Sequence, residues 1–193
     1  MARSVLVVAL LLVACGDRPS AEVGDAGPAD PLPSAVASPP VFSTFDPATI
    51  QPGDMLFGLA VASAELSQVL EDSIWVGSVV FEGDLVLHGV YQLHPDWPQV
   101  ELPCVHVIQA PSIARIPRFP ADAYTGPDPK TWFCLENADV ALELLGTPEP
   151  PREVVIALDR YRVVRELSDV FDTATLAEVI EVGPTTTATL LEP

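Results

Sequence analysis

Lysine is nearly missing from this chain. Lys130 is the only one, and 9 basic residues in all face 27 acidic ones. A groove that tracks a phosphate backbone needs clustered Lys and Arg, so no nucleic acid is expected as a partner, and anionic lipid headgroups are repelled as well. Nucleophile and phosphate motifs are missing too: the chain has no G-x-S-x-G, no S-x-x-K and no Gly-rich phosphate loop. No D-x-D-x-D-G spacing marks a calcium loop. Carboxylates are so plentiful that some pair must lie close, and closeness alone does not indicate a glycosidase. These absences leave no catalytic residue to nominate and no cofactor to expect.

Apolar length is also scarce at the start. Val5–Val13 is an unbroken run of nine residues behind a single positive charge, Arg3. A helix needs about 20 residues to cross a bilayer core, whereas a signal-peptide core is this short. The run ends in Leu12-Val13-Ala14-Cys15, followed by Gly16. These residues resemble the lipobox of bacterial lipoprotein precursors. The resemblance implies cleavage before Cys15, lipid on its thiol, and a membrane partner reached through that lipid. A Gly rather than an Asp after the Cys implies outer-membrane delivery if the source is Gram-negative. The alternative is an ordinary secretory signal with a coincidental Cys. Residues 1–14 are thus read as signal peptide. Residues 15–41 follow as a linker with Pro19, Pro28, Pro31, Pro33, Pro39 and Pro40 among small and acidic residues. Such a segment cannot bury enough surface to offset its ordering entropy, and its prolines extend it.

Residues 42–182 form the expected globular body, large enough for one core and not two. Loss of Arg3 leaves 8 basic against 27 acidic residues, a mature net charge of −19. Its pattern is mostly period two. Met55–Ala62 reads as a strand apolar on both faces, after the turn signal Pro52-Gly53-Asp54. Glu65–Glu71 fits a helical turn, with strand from Trp75. Ile74–Phe81 and Leu85–Leu93, separated by Glu82-Gly83-Asp84, read as a hairpin. Val105–Gln109 is a short strand, Pro111–Pro129 a proline-rich surface loop, and Thr131–Leu135 a strand. Asn137 is placed to cap a helix with Asp139 in its first turn, a stripe of Val140, Ala141, Leu144 and Leu145, and Gly146 beyond its end. Glu153–Val164 is a long strand, with Arg160 and Arg162 on one face and Tyr161 and Val163 on the other. Such a change of exposure suits a strand that bends as a barrel closes. Thr175–Val182 is the last strand, and residues 183–193 read as a loose tail.

Strands, one short helix, then two more strands is the order of a mainly β, OB-like antiparallel barrel. The stretch Phe81–Val90, with Trp132-Phe133-Cys134-Leu135 and the following helix, resembles tRNA-anticodon-binding-like OB domains of bacterial secreted proteins. Trp132–Asn137 with Ser168–Leu176 also resembles uncharacterised bacterial lipoproteins. The resemblance spans about 120 residues, implies the fold, and carries no functional residue across. The acidic charge departs from nucleic-acid-binding members.

The side chains that invite a site have plainer readings beside them. His88 and His94 share a strand face but lie about 20 Å apart, and His106, a candidate to lie across from His88, finds no third ligand. Asp122 and Asp128 suit a solvated loop better than a calcium ion. Trp75, Trp97, Trp132, Tyr91 and Tyr124 could stack a sugar, yet strand aromatics are core by default. Trp97, Phe119 and Tyr124 are the binding candidates, Trp97 because Asp96 and Pro98 flank it, Phe119 and Tyr124 because they sit in the proline-rich loop. With Cys15 taken by lipid, Cys104 and Cys134 are left in a compartment where disulfides persist, and the expectation is that they pair. Two separately buried thiols are the alternative. The expected function is that of a non-catalytic envelope module binding an envelope protein through the barrel face or the Pro111–Pro129 loop, with hydrolysis of an envelope polymer by paired carboxylates as the alternative.

Cys15→Ala should move the protein out of the membrane fraction or leave its precursor uncleaved. Membrane fractionation with immunoblotting checks this, and unchanged retention of a cleaved form would count against the anchor.

Overall fold

The computed structural model describes residues 43–69, 74–93, 102–120, 131–166 and 170–186, which all belong to the compact unit Ser38–Pro193. Trp97, Tyr124, His94, Asp122, Asp128, Cys15 and the linker lie outside the described residues. In chain order the elements are β1 (Ser43–Thr44), β2 (Met55–Leu56), β3 (Leu59–Val69), β4 (Ile74–Leu93), β5 (Pro103–Val107), α1 (Ala110–Ile113), β6 (Pro117–Arg118), β7 (Trp132–Leu135), α2 (Ala138–Leu145), β8 (Arg152–Arg165) and β9 (Asp172–Thr185).

Five of these strands close a barrel. β4 pairs with β5, β5 with β7, β7 with β9, β9 with β8, and β8 returns to β4. Every pair is antiparallel except β7–β9. α2 sits between the third and fourth strands of the ring, as an OB-like barrel requires. The expected fold class is therefore the observed one.

β4 is a single strand of 20 residues, not a hairpin. The two apolar runs on either side of Glu82-Gly83-Asp84 do not pair with each other, because both pair with β8. Gly83 and Asp84 stand opposite Asp159 alone, between the registered pairs Glu82–Arg160 and Leu85–Leu158. That is a β-bulge, and Gly83 takes its positive φ of 133°. The bulge bends β4 so that Val79, Phe81, Leu85, Leu87 and Tyr91 all stay in the core. The same residues that signal a turn thus serve a bend, since both need a glycine. β8 bends in turn, through register shifts against β9 near Arg152, Ile156 and Leu158.

β3 occupies the edge of β4 up to Glu82, and β5 takes over that edge at Gly89. The backbone between them would be left unpaired. α1 and the turn after it close this gap: the His88 N–H donates to Ser112 Oγ at 3.0 Å, and Arg115 donates to the carbonyls of Val86 and Asp84 at 3.0 and 3.4 Å. Next, β6 pairs in parallel with β1, and Phe45 packs at 5.7 Å from Phe81 and 4.9 Å from Phe119. Ile116 and Phe119 are fully buried. The first part of the predicted surface loop is therefore a packed wall of the barrel, and Phe119, at 0% exposure, is a core residue and not a binding candidate.

Other elements differ from the local pattern. Met55–Ala62 is broken by a two-residue turn, Phe57-Gly58, so that β2 folds back on β3. Both turn residues have positive φ, 58° and 82°. Such hairpin turns favour Asn-Gly, so the Phe masks the signal. Residues from Glu65 to Val69 are strand rather than a helical turn, since the registry of β3 with β4 runs unbroken to Val69–Ile74. α2 keeps its predicted place, with Ala141 and Leu145 buried, while Leu144 turns outward. Asn137 does not cap it with its side chain. That amide instead clamps Leu176, accepting its N–H and donating to its carbonyl, both at 2.9 Å. β9 begins earlier than its apolar pattern and runs past Gly183-Pro184 to Thr185.

Cys104 and Cys134 are disulfide-bonded, as expected. They are directly opposed in β5–β7, which brings their Cα atoms to 3.8 Å, closer than the usual range of about 4.4–6.8 Å. The bond closes a loop with a sequence separation of 30 residues. In the chain-entropy account that contributes about 3–4 kcal/mol. Replacing both cysteines by Ala should lower unfolding free energy in urea by about that amount. A change below about 1 kcal/mol would show that the loop is ordered by its own packing.

Candidate functional site

β5 and β7 are short and alternate strictly. Val105, Val107, Phe133 and Leu135 point inward and are buried in the core. Their neighbours point out, and strand register aligns them in two rows across β4, β5 and β7. One row is Gln92, Cys104 and Cys134; the other is Val90, His106 and Trp132. The His106 and Trp132 rings stack with centroids 4.5 Å apart and planes 5° from parallel. Both side chains are half-buried. The disulfide beside them ties the two strands that carry the stack, so a rigid aromatic surface sits on the outer wall of the barrel. Trp132 is thus a surface aromatic, where strand spacing alone made it core. Tyr91 is core, and its hydroxyl donates to the Gly146 carbonyl at 3.0 Å. Trp75 packs against the core edge.

The histidines are not brought together. His106 faces Val90 across β4–β5, so it does not lie opposite His88. The imidazole of His88 instead meets Glu153 at 3.4 Å. Among the described residues, no group of three or more His, Cys, Asp or Glu is arranged to hold a metal ion. Glu82 and Asp159 line a shallow depression with Arg160 and Thr175. Glu82 there faces Arg160 at 3.9 Å, and both side chains are exposed.

The strongest ionic cluster lies elsewhere and was not visible in the sequence. Arg118 and Asp172 form a buried ion pair, and Tyr161 donates its hydroxyl to the same Asp172 oxygen at 3.0 Å. The second oxygen accepts the Val164 N–H at 2.9 Å. Arg118 comes from the supposed surface loop and Asp172 from the connection before the supposed last strand. Only the inward face of Tyr161 was legible. Burial drives the Tyr161 hydroxyl well above its ordinary pKa; Arg118 opposes this and the Asp172 charge adds to it. Tyr91 is raised by burial as well, with Arg152 pulling the other way. The cluster is walled in by the core and ties β6, β8 and β9 together.

Comparison with family models, with characterised proteins and with solved structures finds no match to this chain.

The folded protein keeps the Tyr161 proton at a pH where the unfolded chain releases it, near 10. Stability is therefore fully present below that pH and falls as pH rises past it. Urea titrations from about pH 8 to about pH 11 should show this slope, and Tyr161→Phe should make it shallower. Asp172→Asn, which leaves Arg118 buried without its counter-charge, should cost about 3–5 kcal/mol at neutral pH.

Proposed function

We propose that this chain is a lipid-anchored envelope protein whose OB-like barrel is a non-catalytic binding module for an envelope protein. The lipobox residues Leu12–Cys15 supply the anchor, and Gly16 suits the outer membrane if the source is Gram-negative. The proline-rich linker holds the body off the bilayer. The observation that carries the binding reading is the His106–Trp132 stack beside the Cys104–Cys134 bond. Rigid aromatic side chains lose little entropy on association and anchor many interfaces. The acidic surface favours a basic partner and speeds its approach. Of the Pro111–Pro129 loop, Ser112, Ile113 and Ile116–Phe119 are occupied in packing, while residues 121–129 lie outside the described residues. No cofactor is called for.

The second reading is a hydrolase of an envelope polymer, favoured by the shared depression of Glu82 and Asp159. Against it, Glu82 is exposed and faces Arg160 at 3.9 Å, so it lies open to solvent beside a cation and not in a closed cleft.

A photo-crosslinking residue at position 132 of the lipidated protein, in its native envelope, should give one defined adduct, while the same residue at Glu178 on β9 should not. The captured protein, once purified, should bind the native chain and bind Trp132→Ala at least about tenfold more weakly. Equal capture from both positions would overturn the proposal. Turnover of wall polymer lost in Glu82→Gln would replace it with the hydrolase.

A further inference from the structure

β3 and β9 each leave a backbone edge open, and the sequence treats the two edges differently. β9 pairs with β7 only from Asp172 to Ala174, and Asn137 takes both backbone groups of Leu176. Past Leu176, among the described residues, no strand covers this edge. It is blunted instead. Its registry with β8 slips at Ala177, at Ile180 and at Gly183-Pro184, and Glu178 and Glu181 stand exposed along it. Bulges, proline and charge are the features that keep a free edge from pairing with another chain. β3 has little of this. β2 covers it only at Leu59 and Ala60, and Gly53 and Asp54 bond the backbone groups of Val61. A register shift follows at Ala62, and from Ser63 to Val69 the strand runs unbroken against β4. That stretch carries no proline and no lysine, and Glu65 is its one charge. Among the described residues, nothing pairs with its outer edge.

Backbone direction selects the occupant. A Cβ on Gly77 would collide with the Glu65 carbonyl oxygen, so the backbone groups of Glu65 face β4. Successive residues of an antiparallel strand turn their N–H and C=O to alternate sides, so those of Ala64, Leu66 and Gln68 face away from β4, along the open edge. A row of such groups is matched by one chemistry, another extended backbone. Side chains narrow it further. Ala64 and Leu66 are half-buried against the core on one face, so a strand laid beside them gains from apolar residues there. Glu65 and Ser67 are exposed on the other face, where a basic residue would meet Glu65. Other occupants fit worse. A second copy of the chain brings its own excess of acid against this one. The linker is interrupted by Pro19, Pro28, Pro31, Pro33, Pro39 and Pro40, which have no N–H to give. The residues after Thr186 start beside Pro151, whereas the β3 edge lies across β4 from Arg162–Arg165, at the other end of β8.

We propose that the outer edge of β3, Ser63–Val69, is a strand-addition site that takes an extended segment of a partner protein, alternating apolar and basic residues, as the next strand of the sheet. This goes beyond the aromatic stack and rests on the binding-module reading only in taking the partner to be a protein.

The test uses the isotope-labelled full-length protein in detergent micelles, with amide exchange read residue by residue by NMR. In the free protein the amides of Ala64, Leu66 and Gln68 should exchange fast, and those of Glu65 and Ser67 slowly. The probes are two capped peptides, Thr-Val-Lys-Val-Lys-Val-Thr and Thr-Val-Glu-Val-Glu-Val-Thr. The Lys peptide should slow exchange at Ala64, Leu66 and Gln68, and should bind about threefold or more tightly than the Glu peptide. Ala64→Pro removes one outward N–H at an edge position open to proline, and should weaken the Lys peptide about fivefold. Glu65→Lys, an exposed change, should reverse the preference between the peptides, and it decides the matter if the proline variant fails to fold. Slow exchange at Ala64, Leu66 and Gln68 in the free monomer, protection of those amides only as the chain dimerises, no binding of either peptide at millimolar concentration, or an unchanged preference in Glu65→Lys would each overturn the site. A defined adduct from position 132 alongside such a failure would leave the binding-module reading standing and remove only this site.

Discussion

Backbone hydrogen bonding along β4 is the constraint on which the rest of the barrel depends. Twenty residues of extended chain present two edges of N–H and C=O groups, and buried groups of this kind must be paired. β8 covers one edge from Gly77–Arg165 to Tyr91–Arg152. The other edge is shared by β3, the Ser112 and Arg115 side chains, and β5. The bulge at Gly83-Asp84 makes this sharing possible, because it turns the second half of β4 away from β3 and toward β5. Closure of the ring follows from that bend. A straight β4 would leave β5 and β7 with no wall to join.

The connection between β5 and β7 then has a structural task that its composition conceals. It runs back across the gap on β4, adds β6 to β1, and places Ile116 and Phe119 against Phe45 and Phe81. It also carries Arg118 into the interior to meet Asp172 and Tyr161. A buried ion pair of this kind adds little net stability over an apolar substitute, yet losing one partner is costly. Its effect is to tie the connection, β8 and β9 in one arrangement. The Cys104–Cys134 bond holds the two ends of the same connection, so it is fixed at its base and, through Ile116–Phe119, along its described part.

With the interior so committed, the proposed binding role falls to the outside of the barrel. On the outward side of β5 and β7, Cys104 and Cys134 are buried, while the stacked His106 and Trp132 rings are half-buried and reach the surface. On the proposed reading, the aromatic surface of β5 and β7 is the recognition face, and the acidity of the chain steers a basic partner toward it.

Residue pattern alone determined a good part of this protein. The near absence of lysine set the surface charge, and Leu12–Cys15 set the expected anchor. Period-two alternation with one short helix set the barrel class, and the two cysteines left after Cys15 set the expected pairing. These are local or compositional properties, readable wherever the chain goes. Tertiary structure decided what each ambiguous segment became. Glu82-Gly83-Asp84 suits a turn or a bulge equally, and the presence of β8 alongside chose the bulge. Phe57 gave no hint of a turn, because pairing of β2 with β3 imposed a backbone that Phe does not favour. Phe119 and Arg118 looked exposed among prolines, and only the open edge of β4 and the barrel mouth drew them inside. Gln92 became buried in the same way. Nothing in its neighbours along the chain foretells it, because Gln92 is buried where strand register lays it beside Cys104 in the closed ring.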